Sequence, residues 1–370
     1  MKNAIILILK NNAVFVVALL AAIITSFIIP PDIEYLGYFD LKTLACLFSV
    51  LAVVCALRNI HFFEMLSGSI IKVFKNTRSA ILALVYITFI GSMLIANDMA
   101  LITFLPLGYF ILKTTGNEKL MAFVFIMQNI AANLGGMLTP FGNPQNLYLY
   151  TKFKIPNAEF VSIMFFPFAI SIALITICCI AFVKKEQLVI SQREYPAPDP
   201  IRLSVYLVLF AIAIIIVFRF IPYYIGMAII ILVLIFMDKR ALRAVDYALL
   251  FTFVCFFIFS GNMARIGVVR DFFATFLEKS TLIFSALSCQ MISNVPSAIL
   301  LSQFTDNYRE LLVGVNIGGA GTLIASLASL ITFKEYIKHN PNKKKHYIVM
   351  FSLFNFSFLF ILLAISYFTI

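Results

Sequence analysis

The stretch GSMLIANDMALITFLP, residues 91–106, lies inside a long apolar segment and carries Asn97 and Asp98 at its centre. Asp98 is the one side chain charged at neutral pH that falls deep inside an apolar segment. A carboxylate at that depth is expensive and persists only against water, an ion or a polar partner. The same two residues interrupt the helix pattern: Ser79 to Ala96 is apolar, Asn97-Asp98 is polar, and Leu101 to Leu112 is apolar again. Each half is shorter than the roughly 20 residues one helix needs to cross a bilayer. The pattern predicts a re-entrant hairpin over 79–113 whose tip is buried in protein, because irregular backbone at membrane depth is tolerated only where it lines a cavity.

The whole chain fits a lipid solvent. Of its 370 residues 62% are hydrophobic and 12% charged, which marks an all-α polytopic membrane protein. The net charge of +11 does not point to nucleic acid. About 20 of the 28 Lys and Arg fall on one side of the expected spans, so the charge reports orientation under the positive-inside rule. That places the chain in the cytoplasmic membrane, N-terminus inside and C-terminus outside, with the bilayer as its surroundings. Cys46, Cys55, Cys178, Cys179, Cys255 and Cys289 lie in apolar segments without metal-ligand spacing and are expected as buried small hydrophobes. His61, His339 and His346 lie near surfaces.

About nine full spans are expected. The first runs 13–29, with residues 1–12 leading into it, and the second 41–57. An interfacial helix over Arg58–Lys75 precedes the hairpin. The third span starts near Leu120 and is broken by NIAANLGGMLTPFGNPQN, residues 129–146, whose Gly, Pro and Asn describe an interrupted helix. The fourth covers 160–183. After the polar, Pro-rich EQLVISQREYPAPDP come spans at 203–218, 223–237 and 246–260. An interfacial helix over Arg265–Lys279 follows, then a second hairpin, 281–305, with Ser293 to Pro296 at its tip. The eighth span, 309–336, is broken at NIGGAGTLIAS, and the ninth covers 347–369.

The order of features repeats. Asp40 aligns with Asp246 and Ile60 with Ile266 at an offset of 206; Asn97 aligns with Asn294 at 197; Asn129 with Asn316, Thr139 with Ser326 and Gly142 with Ser329 at 187. The domain division is 1–185 for the first repeat, 186–221 for a cytoplasmic linker and an unpaired fifth span, and 222–370 for the second repeat. Five crossings separate the repeats, an odd number, so they are inverted. Inverted repeats with two broken helices are secondary-transporter architecture, with the site where the breaks meet.

Helix N-termini exposed at such breaks attract anions, while unwound carbonyls and Ser, Thr or Asn oxygens hold small cations. The candidate contacts are Ser92, Asn97 and Asp98 on the first hairpin, and Asn133, Gly136, Thr139, Gly142 and Asn143 on the first broken helix. In the second half they are Ser293 and Asn294, then Asn316, Gly319, Gly321, Thr322 and Ser326. Plainer roles compete: Asp98 as an N-cap of the helix that follows, the pairs Gly135-Gly136 and Gly318-Gly319 as close-packing positions, and Asn129, Asn133, Asn143 and Asn146 as partners for broken backbone. An enzyme is excluded by the lack of HExxH, GxSxG and a second intramembrane carboxylate.

ANDMALITFLP, NLGGMLTPFGNPQN, SNVPSAILL and NIGGAGTLIASLASLI resemble the ion transporter superfamily, which includes divalent anion/sodium symporters, citrate-transporter-like permeases, arsenite permeases and certain Na+/H+ antiporters. The resemblance covers nearly the whole chain. It implies a homodimer in which a mobile part carries a small inorganic or organic ion by an elevator motion, with Na+ or H+ as coupling ion and no other cofactor. In the symporter branch each tip reads Ser-Asn-Thr. Here the tips read Ala96-Asn97-Asp98 and Ser293-Asn294-Val295, so both Asn are kept and both Thr are absent. The resemblance implies a candidate Na+ site at Ser92, Asn97, Asn133 and Gly135, and a weaker second site because Cys289 replaces the hydroxyl. The expected function is secondary transport of a small, carboxylate-type anion; arsenite efflux or Na+/H+ antiport through Asp98 is the alternative.

Overall fold

The computed structural model describes residues 13–63, 65, 76–187 and 198–370. The expected lead-in at residues 1–12, most of the interfacial helix over 58–75 and residues 188–197 of the linker lie outside them. The described residues fold into helices: α1 (Ala13–Ile28), α2 (Leu41–Asn59), α3 (Thr77–Ile95), α4 (Asn97–Thr114), α5 (Met121–Gly135), α6 (Pro144–Lys152), α7 (Asn157–Phe182), α8 (Pro200–Val217) and α9 (Tyr223–Met237). Then follow α10 (Lys239–Arg243), α11 (Tyr247–Arg265), α12 (Gly267–Lys279), α13 (Thr281–Ile292), α14 (Asn294–Leu301), α15 (Tyr308–Ile317), α16 (Leu327–His339) and α17 (Lys344–Tyr367).

Seven of these helices are long and apolar enough to cross a bilayer, while α1, α9 and α13 are shorter apolar helices. α3, at 19 residues, is one of the seven. This corrects the length argument for the first hairpin: its first arm is long enough to cross, and the sharp turn at Ala96 is what sends the chain back.

Local chemistry sets the boundaries. Asp40 accepts from the Thr43 amide at 2.9 Å and its hydroxyl at 2.6 Å, capping α2. Asp246 caps α11 in the same way through the Leu249 amide at 2.9 Å. An Asp cap satisfies one of the free N–H groups of a helix start. The matched caps are the residues the sequence pairs at offset 206. α5 is buried on every side from Met121 to Gly135, as a helix apolar all round must be. α3, α4, α7, α16 and α17 pack around it. α1 packs on α11, and α2 on α8 and α9. Outward, Phe165 and Ile177 of α7, Val208 of α8, Phe236 of α9 and Phe360 of α17 are exposed, which suits lipid contact.

Candidate functional site

The two hairpins turn on the same backbone. Ala96 has φ 65° and ψ 151°; Ser293 has φ 75° and ψ 159°. This region belongs almost wholly to glycine and costs on the order of 1–3 kcal/mol for other residues. Surrounding contacts hold it. The Asn97 amide donates to Gly142 O at 3.2 Å and the Asn294 amide to Ala325 O at 2.9 Å. Each tip Asn then accepts from the next amide through Oδ1, Asp98 N and Val295 N, both at 2.9 Å. Asp98 therefore does not cap α4. Ala96 occupies the cap position and Asp98 sits in the first turn, its carboxylate free for other work.

Each tip is stapled to the point where a broken helix restarts. Asn143 precedes α6 at φ −135°, ψ 142°, and Ser326 precedes α16 at φ −147°, ψ 142°. The breaks correspond residue by residue at an offset of 183, which corrects the offset of 187. Asn133 matches Asn316, Gly135 matches Gly318, Thr139 matches Thr322 and Asn143 matches Ser326. The contacts bear this out: Thr139 Oγ1 donates to Met93 O at 2.7 Å and Thr322 Oγ1 to Gln290 O at 3.1 Å, and Met93 and Gln290 are themselves matched at 197. A Cβ on Gly135 would strike Phe89 and Ser92, and one on Gly318 would strike Ala286 and Cys289, again matched pairs. Asn129 is not the mate of Asn316. It reaches instead to Ser329 at 3.3 Å and Asn355 at 3.5 Å.

The two breaks cross-link at their centre. Ser326 Oγ donates to Asn133 Oδ1 at 2.7 Å, and Asn143 Nδ2 donates to Asn316 Oδ1 at 3.1 Å. Asn97 Nδ2 also donates to Asn133 Oδ1, at 3.1 Å. Beside this lattice lies a cavity of about 40 Å³, lined by Asn97, Asp98, Pro144, Gln145, Ser293, Asn294, Ser326 and Leu327, and closed by Thr252 and Phe256 of α11. That is room for a few water-sized particles. The first turns of α4, α6, α14 and α16 all reach it. Asp98 Oδ1 and Gln145 Oε1 are sealed from solvent with no hydrogen-bond partner among the described residues, and so are Asn143 Oδ1 and Asn133 Nδ2 behind them. Buried polar atoms left so are costly and call for a partner.

Of the expected contacts, Asn97, Asp98, Ser293, Asn294 and Ser326 line the cavity. Asn133, Asn143 and Asn316 stand one bond behind. Gly136 and Gly142 pack face to face, and Gly319 lies against Asn294. Ser92 donates to Phe89 O at 2.8 Å beside Gly135. Thr139 and Thr322 bind the breaks to the hairpin helices, and Ser92 and Gly321 pack at the same contacts, away from the cavity wall. Asn133 Oδ1 accepts from both Asn97 Nδ2 and Ser326 Oγ. Gln128, Gln145 and Gln290 escaped the sequence reading, and amides at membrane depth were the available signal. Gln128 Nε2 ties the first hairpin to α5 through Thr88 at 3.0 Å and Phe104 O at 3.1 Å.

A vestibule of about 200 Å³ adjoins the cavity along Val14, Leu249, Thr252 and Leu327, and opens past Asp246 and Lys334. A larger hollow of about 660 Å³ lies at the other end of α11, against Phe257, Gly261 and Arg265, and shares no wall with the cavity.

Residues 4–308 match the family model for the citrate transporter. The chain is 32% identical over 302 residues to an uncharacterized transporter of Methanocaldococcus jannaschii, covering 81% of this chain and 82% of that one. It is 26% identical to the inner membrane protein YbiR of Escherichia coli over 335 residues, 88% of each. It is 30% identical to the silicon efflux transporter LSI3 of Oryza sativa over 147 residues, 39% of this chain and 30% of that one. The family match takes in both hairpin tips and the first break, three of the four helix starts at the cavity; the chain belongs to the citrate transporter family and is a membrane transporter, not an enzyme.

Proposed function

We propose that this transporter is a secondary active permease of the cytoplasmic membrane that moves a small anion together with a cation or proton held at Asp98. One observation carries the reading: the first turns of four interrupted helices line one cavity. Each turns the positive end of its helix dipole toward an anion. Asp98 faces the same cavity with an unpartnered oxygen. An anion and a bare carboxylate repel strongly where the dielectric is low. A proton or Na+ on Asp98 removes that repulsion, so the anion enters with its companion, and coupling follows from the charges. The matched tips and breaks fit two inverted repeats. The basic loops near Lys239–Arg243 and Lys343–Lys345 mark the cytoplasmic end, which is the end the vestibule opens toward. A homodimer whose hairpins and broken helices ride as one body past α2, α8, α9 and α11 would alternate that access.

A second reading is favoured by the chemistry of the partnerless atoms. The two at the cavity wall are acceptors, and a neutral hydroxylated oxyacid would donate to them. The rice relative is named a silicon efflux transporter. In this reading the oxyacid leaves in exchange for a proton on Asp98.

Purified protein, melted against carboxylates, sulfate, arsenite and silicic acid, separates the two, since a ligand of the folded state raises Tm by mass action. A small anion should raise Tm by about 5 °C at saturation, and Asn97→Ala or Asn294→Ala should remove the shift. A shift with arsenite or silicic acid and with no anion supports the oxyacid. Shifts that survive both substitutions place binding elsewhere.

A further inference from the structure

Each break contains a small cage of backbone carbonyls, and in each the middle of the cage is a side-chain amide nitrogen. In the second half Gln290 Nε2 of α13 lies 2.8 Å from Gly318 O and 3.0 Å from Ala320 O of the break, and 3.0 Å from Ala286 O one turn back in its own helix. Its Oε1 accepts from the Thr322 amide at 2.8 Å. Gly321, at φ +120°, lies against the same side chain, where a Cβ would overlap the amide. In the first half Asn146 Nδ2 of α6 lies 3.2 Å from Gly136 O, 3.2 Å from Met137 O and 3.3 Å from Thr139 O. Asn146 Oδ1 accepts from Asn316 Nδ2 at 2.6 Å. Asn146 is fully buried.

Three oxygens around one nitrogen exceed its two hydrogens. Convergence of unwound carbonyls on a point is how broken helices hold a coupling Na+. The spacing decides what this cage is built for. Distances of 2.8 to 3.3 Å are those of N–H···O bonds, while oxygen ligands close to about 2.3–2.6 Å around a bound cation such as Ca²⁺. The two plugs also come from different elements: Gln290 has Met93 as its match, and Asn146 has Ser329. Each half therefore fills its cage by its own route, which a requirement of the fold for one conserved polar contact would not produce.

We infer that Gln290 and Asn146 fill the carbonyl cages of the two breaks in place of a cation, so that neither cage binds Na+ and the coupling ion is left to Asp98. The inference deepens the symport reading and rests on it only for the last step. The amide is a permanent stand-in for the ion: it neutralises the carbonyl dipoles, holds the unwound segments in shape, and never leaves.

The test is the melting of purified full-length protein in NaCl against choline chloride at equal ionic strength, for wild type, Gln290→Glu and Asp98→Asn. Wild type should melt alike in both salts if Asp98 carries a proton, or respond to Na+ through Asp98 alone. Gln290→Glu places an anionic oxygen among carbonyls and keeps the acceptor for Thr322 N. It should be destabilised in choline and recover by about 5 °C or more in NaCl, having gained a cation site. If Gln290→Glu does not fold, Gln290→Ala, which opens the cage without adding charge, should gain a smaller Na+ response. A wild-type Na+ response that persists in Asp98→Asn overturns the inference, because the ion then sits in a break. A wild-type response that Asp98→Asn abolishes supports the filled cages and puts Na+ at Asp98. Variants that fold and gain no response to Na+ overturn it as well.

Discussion

The two hairpin tips share a backbone and differ in charge. Ala96-Asn97-Asp98 and Ser293-Asn294-Val295 have the same strained turn, the same Asn Oδ1 contact to the next amide, and the same staple to a restarting helix. Yet one tip puts a carboxylate in the cavity and the other a valine. The breaks behave likewise: Asn143 and Gln145 on one side answer to Ser326 and Ala328 on the other. The shared backbone creates four helix starts around one point. The unshared side chains decide what may sit there, and they place all the titratable chemistry on one side.

That comparison can be broken at several depths. The largest effect is expected where the tips are alike. Asn97→Ala removes the donor to Asn133 and Asn294→Ala removes its counterpart at the cavity; each should lower transport in proteoliposomes by roughly 100-fold or more, the cost of unmaking buried polar contacts, with folded yield nearly unchanged. If one tip tolerates the change, the two are not equivalent.

Next come the matched glycines. Gly135→Ala drives a methyl into Phe89 and Ser92, and Gly318→Ala into Ala286 and Cys289. Overpacking of this kind costs about 1–3 kcal/mol. Both should melt several degrees lower, and a large gap between them would show that one break is looser. Cysteine labelling tests the proposed inversion. A cysteine near Lys343 should react from the cytoplasm and one near Asp306 from outside; reaction of both from one side would end the inverted arrangement.

The smallest effect lies in the loop that caps the first half. The hydrogen-bonded Arg265 guanidinium, 2.6 Å from Asp32, holds that exposed carboxyl below its usual range. A depressed carboxyl stabilises the fold above its unfolded value and loses that contribution as pH falls through the folded one. Arg265→Gln should thus lower Tm slightly near neutrality and converge with wild type at acid pH, flattening the acid limb of a Tm-against-pH curve; the pair is exposed, so the effect is small.

Much of this was legible in the sequence because it is written in local chemistry. Asp40 and Asp246 fall at the same place in the repeated order of features, and a polar pair in an apolar run announces a break. The register between the halves was not legible: glycines and asparagines recur every few residues at 129–146, so 187 and 183 look alike until Thr139 and Thr322 are seen to meet Met93 and Gln290. Gln145 and Gln290 were missed because their meaning depends on what lies across the break. Asp98 looked like a cap because Asp favours caps, but the strained turn shifts the cap position two residues earlier, to Ala96.

The central claim is that Asp98 supplies the coupling charge beside an anion held by the helix starts. Uptake of the anion identified by melting, measured against external pH in proteoliposomes for wild type and Asp98→Asn, tests it most directly. The account predicts uptake by wild type that changes with pH, or with Na+ if the ion proves to sit there. It predicts uptake by Asp98→Asn that is flat with pH while binding is kept or tightened, since the substitution removes a repelling charge. A folded Asp98→Asn that loses both binding and uptake would contradict it.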